Sequence, residues 1–249
     1  MHSADLDGVM RIPAPEGVAI WLTMRTAAAG LSSGAYSAFN LATHVDDHSG
    51  HVEQHRAHLG QQLGCDVQWL NQVHGTQTVQ VDRVISPPTA DAAWTDIPSI
   101  ALGVLTADCI PLVLASLDGA VVGVVHAGWR GLAEGIIPHA IGQMGVRADA
   151  TFAWVGPCIS WSNYEVGQDV WRHFIHTSGL KEHQDNNKRY LDLAQIAFEQ
   201  LAGLGLRQIE LSGLCTFADE RFYSHRQHKV AGKTGQTGRF ATLVAKVTA

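Results

Sequence analysis

Three short segments each place a residue that can bind metal directly after, or at the end of, an apolar stretch. His74 precedes a glycine, Cys109 follows a long apolar run, and His126 ends another run before a glycine-containing turn. Imidazole and thiolate groups suit zinc, and a site with three protein ligands leaves a fourth position for water or substrate. These residues therefore predict a catalytic zinc site. Their separations are not local ligand spacings, so the fold would have to assemble it.

Other interpretations use the same residues. A cysteine and two histidines at strand ends are more often ordinary structural residues than metal ligands. Cys109 could instead be the nucleophile of a hydrolase with His126 as its base, which a bound zinc ion would prevent. Multicopper oxidation needs close His-X-His pairs, and the sequence contains none, which disfavours copper. A non-catalytic nucleotide-binding module is the remaining class.

Hydrophobic patterning predicts the elements that must position these residues. A helix capped by Asp46 or Asp47 runs to about Gly64, with Arg56 on its apolar face. Asp118-Gly119 is typical of a tight turn between two buried strands. Further strands are expected at 18–23, 152–155, 209–211 and 240–244, and helices at 131–144, 166–176 and 191–201. Strands and helices alternate without a linker, which predicts one α/β domain over 1–249 with mixed sheets and a loose lead at 1–16.

Composition narrows the class of protein. Of the 249 residues, 46% are hydrophobic and 16% charged, which is typical of a compact globular chain. The net charge of -6 and the lack of basic runs disfavour nucleic-acid and membrane partners. The N-terminus has no apolar signal segment, no run is long enough to span a bilayer, and the four cysteines form no C-x-x-C pair. We therefore expect a cytoplasmic protein with reduced thiols.

A series of longer motifs extends over nearly the whole chain. The chain resembles the YfiH-type family, once labelled multicopper polyphenol oxidases or laccase-domain proteins and now regarded as purine nucleoside phosphorylases. The resemblance rests on Asn40-Leu41, Gln72-Val73-His74-Gly75, Ala90-Asp91-Ala92, Thr106-Ala107-Asp108-Cys109-Ile110-Pro111, His126-Ala127-Gly128-Trp129-Arg130-Gly131, Gly156-Pro157-Cys158-Ile159, Tyr164-Glu165-Val166-Gly167, Cys215-Thr216, Ser224, Arg226 and Gly238-Arg239.

The resemblance implies specific properties. The metal ligands would be His74, Cys109 and His126, with zinc as the metal. The fold would be a four-layer α/β/β/α sandwich with mixed β-sheets. The partners would be phosphate and a purine nucleoside such as adenosine, inosine or methylthioadenosine, with adenosine deamination as a further activity. A hydrolase of amide bonds, for example in removal of faulty cell-wall precursors, is the alternative that the family also suggests.

Phosphorolysis requires groups that hold an anion. Arg130, close to His126, is the first candidate for phosphate because its planar guanidinium matches that anion, although it could equally anchor a turn. Asp108 is either an acid/base group or a turn carboxylate bound to backbone amides. The remaining predicted substrate-binding residues are Asn40, Arg56, Ser224, Arg226 and Arg239.

Two departures from the family pattern leave substrate preference open. His55 precedes Arg56 where the family has asparagine, and residues 224–227 are an imperfect version of the family's Ser-Tyr-Arg-Arg. A series of histidines could also bind metal, but we interpret it as the solvated flank of a helix. It comprises His44, His48, His51, His55 and His58.

Overall fold

The structure is a computed structural model that describes residues 6–232 and 236–247. Its strands are β1 (Val9–Ile12), β2 (Val18–Thr23), β3 (Asp66–Gln68), β4 (Thr78–Gln80), β5 (Ala92–Thr95), β6 (Ile100–Thr106), β7 (Ile110–Ser116), β8 (Val122–Ala127), β9 (Thr151–Val155), β10 (Glu165–Gly167), β11 (Leu180–Lys181), β12 (Lys188–Leu191), β13 (Gln208–Leu211) and β14 (Phe240–Lys246). Its α-helices are α1 (Ser49–Leu63), α2 (Trp129–Glu134), α3 (Ile136–Met144), α4 (Gln168–Trp171), α5 (Leu193–Gly203) and α6 (His225–Val230).

The strands form two large mixed sheets and one small sheet. The first sheet has the order β1-β2-β14-β6-β3, and only its β3–β6 pair is parallel. The second has the order β13-β9-β7-β8-β5-β4, with parallel pairs at both edges. The small sheet, β10-β12-β11, is antiparallel.

These elements stack as the four-layer α/β/β/α sandwich that the resemblance implies. Side chains such as Leu102 and Val113 fill the space between the large sheets. Leu59 of α1 packs on the outer face of the first sheet. On the opposite side, Ile137 of α3 and Ile196 of α5 pack on the second sheet. The fold class is thus confirmed.

Burial on both faces explains why the central strands read as continuous apolar runs. Within β7, Val113 faces the other sheet while Leu112 and Leu114 face the helices. Both sets are fully buried, so no polar residue is needed at alternate positions. The turn predicted at Asp118-Gly119 joins β7 to β8 and carries Gly119 at a φ of 67°.

The structure corrects the expected N-terminal lead. Of residues 1–16, the first five lie outside the described residues, and Val9–Ile12 form β1 rather than a loose segment. This strand pairs with β2 in an antiparallel register and buries Val9 and Ile12. The two prolines at 13 and 15 lie in the connection between the two strands and do not interrupt either one.

Three helix predictions also need correction. The stretch 131–144 is broken at Gly135, which adopts a left-handed φ of 85° and separates α2 from α3. The stretch 166–176 begins as a strand because Glu165–Gly167 pairs with β12, and only a short α4 follows. The N-cap of α1 is His48, which makes no side-chain capping bond; Asp47 instead accepts hydrogen bonds from Ser32 and Asn40.

Among the described residues, none of the helices has the length and apolar character required to cross a bilayer.

Candidate metal centre and active site

The register of the second sheet brings the predicted ligands to one edge. In the β7–β8 pair, Ile110 lies opposite Ala127, so Cys109 in the turn before β7 reaches the end of β8 where His126 stands. The third ligand, His74, lies in the connection between β3 and β4. Ligand atoms of His74, Cys109 and His126 lie within 4.8 Å of one another, which fits a shared metal ion.

A buried carboxylate orients both histidines. The Asp91 carboxylate accepts a hydrogen bond from the Nδ1 of His126 at 2.8 Å and another from the backbone N–H of His74 at 2.9 Å. It also accepts the backbone N–H groups of Val73 and Gly75. Burial would raise the pKa of Asp91, but hydrogen bonds from His126 and Gly75 hold it below its usual value. The Nδ1 contact leaves the other nitrogen of His126 for a metal, which is the usual arrangement of metal-binding histidines.

The same contacts stabilise an unusual backbone. His74 has a φ of 62° and Asp108 a φ of 96°, in a region that L residues rarely adopt. The three amides that Asp91 binds, at 73–75, hold the chain around His74 in that conformation. Such strain persists only where the surroundings impose it, and it is concentrated at functional sites.

The thiol of Cys109 lies between the two imidazoles. Burial would raise the pKa of Cys109, but hydrogen bonds to His126 and His74 lower it below the ordinary thiol value. The two histidine rings meet edge to face, with centroids 4.7 Å apart. A thiolate flanked by two imidazoles matches the ligands that divalent metals of the zinc type prefer. The donor set therefore fits a metal ion.

A cavity of about 440 Å³ opens beside these ligands. This volume lies in the range typical of small-molecule sites. Its lining comprises His44, Gln72, His74, Leu105, Thr106, Ala107, Asp108, Cys109, His126, Trp129, Arg130, Tyr164, His225, Arg226 and Arg239. A larger hollow of about 590 Å³, lined by residues of α1 and β3, contains none of the three candidate ligands.

Three of the predicted substrate-binding arginines meet at the cavity. Arg130 lies over the Trp129 ring at 4.7 Å, and Arg226 lies over the Tyr164 ring at 5.0 Å. Arg239 donates to the carbonyl oxygens of Thr237 and Gly238, and burial lowers its pKa. Within residues 6–232 and 236–247, none of the three has a carboxylate partner.

The other predicted substrate-binding residues lie outside the cavity lining. Asn40 is fully buried, and its Oδ1 accepts the backbone N–H of Arg239 at 2.9 Å. Ser224 caps α6 by accepting the N–H of Gln227, which places Arg226 in the first turn of that helix. The two residues thus hold the segments that carry two of the arginines.

Arg56 lines the larger hollow instead of the ligand cavity. Its guanidinium stacks on Trp69 at 4.5 Å, and its Nε donates to the carbonyl of Leu41 at 2.8 Å. Burial lowers the pKa of Arg56 to about 10. Arg56, which lies on the predicted apolar face of the helix, is thus accommodated there by contact with the Trp69 ring and a backbone carbonyl oxygen.

Asp108 is tied to its neighbours on both sides. Its Oδ1 accepts the hydroxyl of Thr216 at 2.7 Å, and its Oδ2 accepts the backbone N–H of Arg226 at 2.6 Å. These bonds match the turn-carboxylate alternative and connect the Cys109 turn to α6. The carboxylate nevertheless lies at the cavity wall.

The chain matches a known family over almost its full length. Residues 20–246 match the family described as multi-copper polyphenol oxidoreductase laccase. The chain belongs to this laccase-like YfiH family. It is 36% identical over 240 residues to a purine nucleoside phosphorylase of Pseudomonas aeruginosa, covering 93% of this chain and 95% of that protein. It is 32% identical to purine nucleoside phosphorylase YfiH of Escherichia coli K12, covering 89% and 93%.

Solved YfiH-family structures have the same fold. A Neisseria meningitidis protein superposes with a TM-score of 0.89 at 34% identity, covering 97% of this chain and all of that chain. YlmD from Geobacillus stearothermophilus superposes with a TM-score of 0.88 at 26% identity, covering 99% and 98%.

Sequence reasoning missed several residues of this YfiH-family site. Asp91 was noted only as part of a motif, although an acid between two alanines before a buried strand indicates a buried partner. Gln72 exchanges hydrogen bonds with the backbone of Leu105 and so anchors the His74 loop to β6. His44, set aside with the helix flank, lies in the cavity wall. His55, from the same series, is buried and accepts the N–H of Leu31.

Gly128 is a position where one methyl group should disturb the metal centre. A Cβ there would lie 3.0 Å from both the Sγ of Cys109 and the Cδ2 of His74. Because these separations are below van der Waals contact, Gly128→Ala should displace a ligand and weaken metal affinity about tenfold or more. Competition with a chromophoric chelator measures this.

Gly142→Ala on α3 is the matched control for this substitution, since nothing lies within 4 Å of the added carbon. Equal metal affinity in the two variants would show that the ligand set is looser than its geometry indicates.

Proposed function

We propose that this YfiH-family chain is a zinc-dependent purine nucleoside phosphorylase. The reaction joins a phosphate oxygen to the anomeric carbon of the nucleoside, breaks the glycosidic bond and releases the purine. The observation that carries the proposal is that three arginines, none of them paired with a carboxylate among the described residues, converge on the cavity beside the candidate metal ligands. The guanidinium groups of Arg226 and Arg239 are partly buried, and a partly buried guanidinium group favours a bound anion. Among the described residues, no carboxylate forms an ion pair with either of them.

The arginines suit an oxyanion of tetrahedral shape. Guanidinium groups present paired N–H donors that match phosphate oxygens. Arg239 and Arg226 are held by backbone carbonyls, which fixes their position before substrate arrives. Arg130 is exposed and lies over Trp129, so it can close on the anion from the solvent side. Such prearranged charges lower the cost of placing phosphate against the sugar.

Zinc is the metal that the donor set favours. One thiolate and two imidazoles are typical of zinc, and catalytic zinc sites have three protein ligands. A bound zinc ion would supply a Lewis acid that stabilises negative charge on the reacting groups. Asp91 would hold the His126 imidazole and the backbone of His74 for that ion, and Asp108 would hold Arg226 towards the phosphate. Asp108 thereby acts in the proposal as a positioning residue.

The remaining walls suit a purine nucleoside. Trp129, Tyr164 and His44 offer flat faces around the cavity, and aromatic faces favour stacking with a base. Burial raises the pKa of Tyr164, so its phenol stays protonated and can donate a hydrogen bond. The names of the relatives, purine nucleoside phosphorylases, support a purine nucleoside as the substrate, and we propose adenosine, inosine and methylthioadenosine as the ones to test. The cytoplasm remains our proposed location.

Chromatographic analysis of products from adenosine tests this function. Metal-quantified protein is incubated with adenosine, with and without phosphate. We expect adenine and ribose 1-phosphate only when phosphate is present, and inosine would reveal deamination as well. Free ribose without phosphate would mean hydrolysis, and no product from zinc-loaded protein would overturn the purine assignment.

The same assay tests the arginines. Arg130→Gln should raise the KM for phosphate about tenfold or more while leaving zinc content unchanged, because a charge-assisted hydrogen bond contributes about 1.5–3 kcal/mol. Arg147→Gln is the matched control, since that side chain pairs with Asp149 on the surface. An unchanged phosphate KM in Arg130→Gln would place the anion elsewhere in the cavity.

A cysteine hydrolase is the second candidate, and one observation favours it. Cys109, His126 and Asp91 are connected in the order nucleophile, base and orienting acid. The second imidazole, His74, is superfluous in such a triad but required in a metal site. An amide hydrolase would keep activity when zinc is removed, whereas the proposed phosphorylase would lose it.

Copper chemistry suits the site less well. Within the described ranges, His74, Cys109 and His126 form the one group of three or more potential ligands. Multicopper oxidases need several copper sites with many histidines. Despite its descriptive name, the family match therefore does not lead us to propose a copper oxidase for this chain.

A further inference from the structure

Two cysteines that the proposed site does not use lie side by side. Cys158 and Cys215 are directly opposed in a parallel β-bridge. The Cys158 N–H donates to the carbonyl of Leu214, and the Thr216 N–H donates to the carbonyl of Cys158. Opposed residues of paired strands are about 4.8 Å apart and point to the same face. That spacing lies within the Cα–Cα range of about 4.4–6.8 Å that a disulfide can span.

The two thiols have opposite environments. The Cys215 sulfur accepts the Ser160 N–H at 3.4 Å, lies 3.0 Å from the Ser160 hydroxyl, and accepts the Asn163 amide at 3.6 Å. Burial would raise the pKa of Cys215, but these contacts lower it below the usual thiol value. Cys158 is buried, and burial raises its pKa. Cys215 is therefore the partly exposed, reactive thiol, and Cys158 is its protonated neighbour.

We propose that Cys158 and Cys215 form a reversible oxidation site that reacts with hydrogen peroxide. The Cys215 thiolate attacks a peroxide oxygen, an S–O bond forms, and the O–O bond breaks to release hydroxide. The Cys158 sulfur then attacks the sulfenic acid, which forms the S–S bond and expels the oxygen as water. In total, two thiols lose two electrons and two protons, and one peroxide becomes two waters.

The pair is connected to the ligand cavity through Asp108. The residue after Cys158, Ile159, donates its N–H to the Asp108 carbonyl at 2.9 Å. The residue after Cys215, Thr216, donates its hydroxyl to the Asp108 carboxylate at 2.7 Å. The same carboxylate holds the N–H of Arg226. Closing the disulfide displaces Ile159 and Thr216, the two residues that hold Asp108, and oxidation therefore alters the position of Arg226. Because Arg226 binds phosphate in the proposed function, the effect of oxidation on activity rests on that proposal.

Peptide mapping of the peroxide-treated, zinc-loaded full chain tests the oxidation site. We expect the loss of two hydrogens in the intact mass and a linked peptide pair containing Cys158 and Cys215, both reversed by dithiothreitol. Cys65→Ala is the matched control and should keep the link, whereas Cys215→Ser should lose it. If Cys158→Ala fails to fold, the wild-type map still decides. Oxidation of Cys215 without a link, or links to Cys109, would overturn the proposal.

The connection to Asp108 has a separate measurement. We expect oxidised protein to lose phosphorolysis about tenfold or more, to regain it with thiol, and to keep its zinc throughout. A complete disulfide with an unchanged rate would overturn this connection. Failure of the reduced protein to phosphorolyse any nucleoside would overturn the proposed function instead, and the linked peptide would still decide the oxidation site.

Discussion

Replacing Cys109 with alanine is expected to eliminate stoichiometric zinc binding and to lower phosphorolysis at least about 1,000-fold. Cys109 provides the only thiolate between the two imidazoles. Two histidines alone bind zinc weakly, and a catalytic metal contributes several kcal/mol, with about 1.4 kcal/mol for each factor of ten in rate. Elemental analysis and the adenosine assay measure both effects. His74→Ala and His126→Ala should behave in the same way.

Thermal unfolding separates the loss of metal from the loss of fold. If zinc binds the folded chain and not the unfolded chain, saturation at 100 times the dissociation constant should stabilise the fold by about 2.7 kcal/mol. In chelator, wild type and Cys109→Ala should therefore unfold at similar temperatures, and added zinc should raise only the wild-type midpoint. Cys65→Ala, which lines the other hollow and not the ligand cavity, should respond to zinc like wild type. Full activity of zinc-free Cys109→Ala would eliminate the proposed metal centre.

Asp91→Asn should have the next largest effect, although Asp91 is not itself a ligand. The carboxylate accepts four hydrogen bonds at the centre, from three backbone amides and from the His126 ring. An amide of the same shape must direct its NH₂ group at one of these donors, so the His74 loop or the His126 ring has to move. Loss of such an orienting partner lowers metal affinity or activity about 10–100-fold. Zinc competition titration measures the change.

Asp149→Asn is the control for this substitution, because that carboxylate pairs with Arg147 on the surface. The control should bind zinc like wild type. If folded Asp91→Asn protein also keeps wild-type zinc affinity, the strained loop must hold His74 without the carboxylate. The backbone conformation at His74, with its φ of 62°, would then need another cause.

Much of the fold could be predicted from local pattern. The apolar runs that became β6, β7 and β8 are continuous because both faces of these strands are buried. Asp118-Gly119 predicted the hairpin through turn chemistry. The helix expected at 191–201 is α5, which begins after Asp192, whose side chain accepts the N–H of Gln195. These features depend on residues that are close in sequence, and the sequence alone therefore predicts them.

Strand pairing decided the elements that were predicted wrongly. The apolar spacing over 166–176 is helical, yet residues 165–167 form a strand of the small sheet. They do so because they pair with β12, which lies more than twenty positions further along the chain. The N-terminal lead becomes β1 because β2 leaves an open edge. Neither pairing partner can be recognised from the residues next to the strand in sequence. Pairing with a neighbouring strand outweighs the intrinsic secondary-structure preference of a few residues.

The candidate site divides in the same way. The types of His74, Cys109 and His126, together with the family motifs, predicted the candidate ligand set, and the structure brings these three residues together. The prediction was possible because metal binding depends on donor atoms that the sequence shows directly. Only the tertiary structure decided that Asp91 orients two of them and that Arg56 lies in another hollow. It also decided that the predicted Asn40 and Ser224 hold arginine-bearing segments. A side chain's type is local, whereas its neighbours depend on contacts between separate segments, such as Asp91 with His126, 35 residues apart, and Asn40 with Arg239, 199 residues apart.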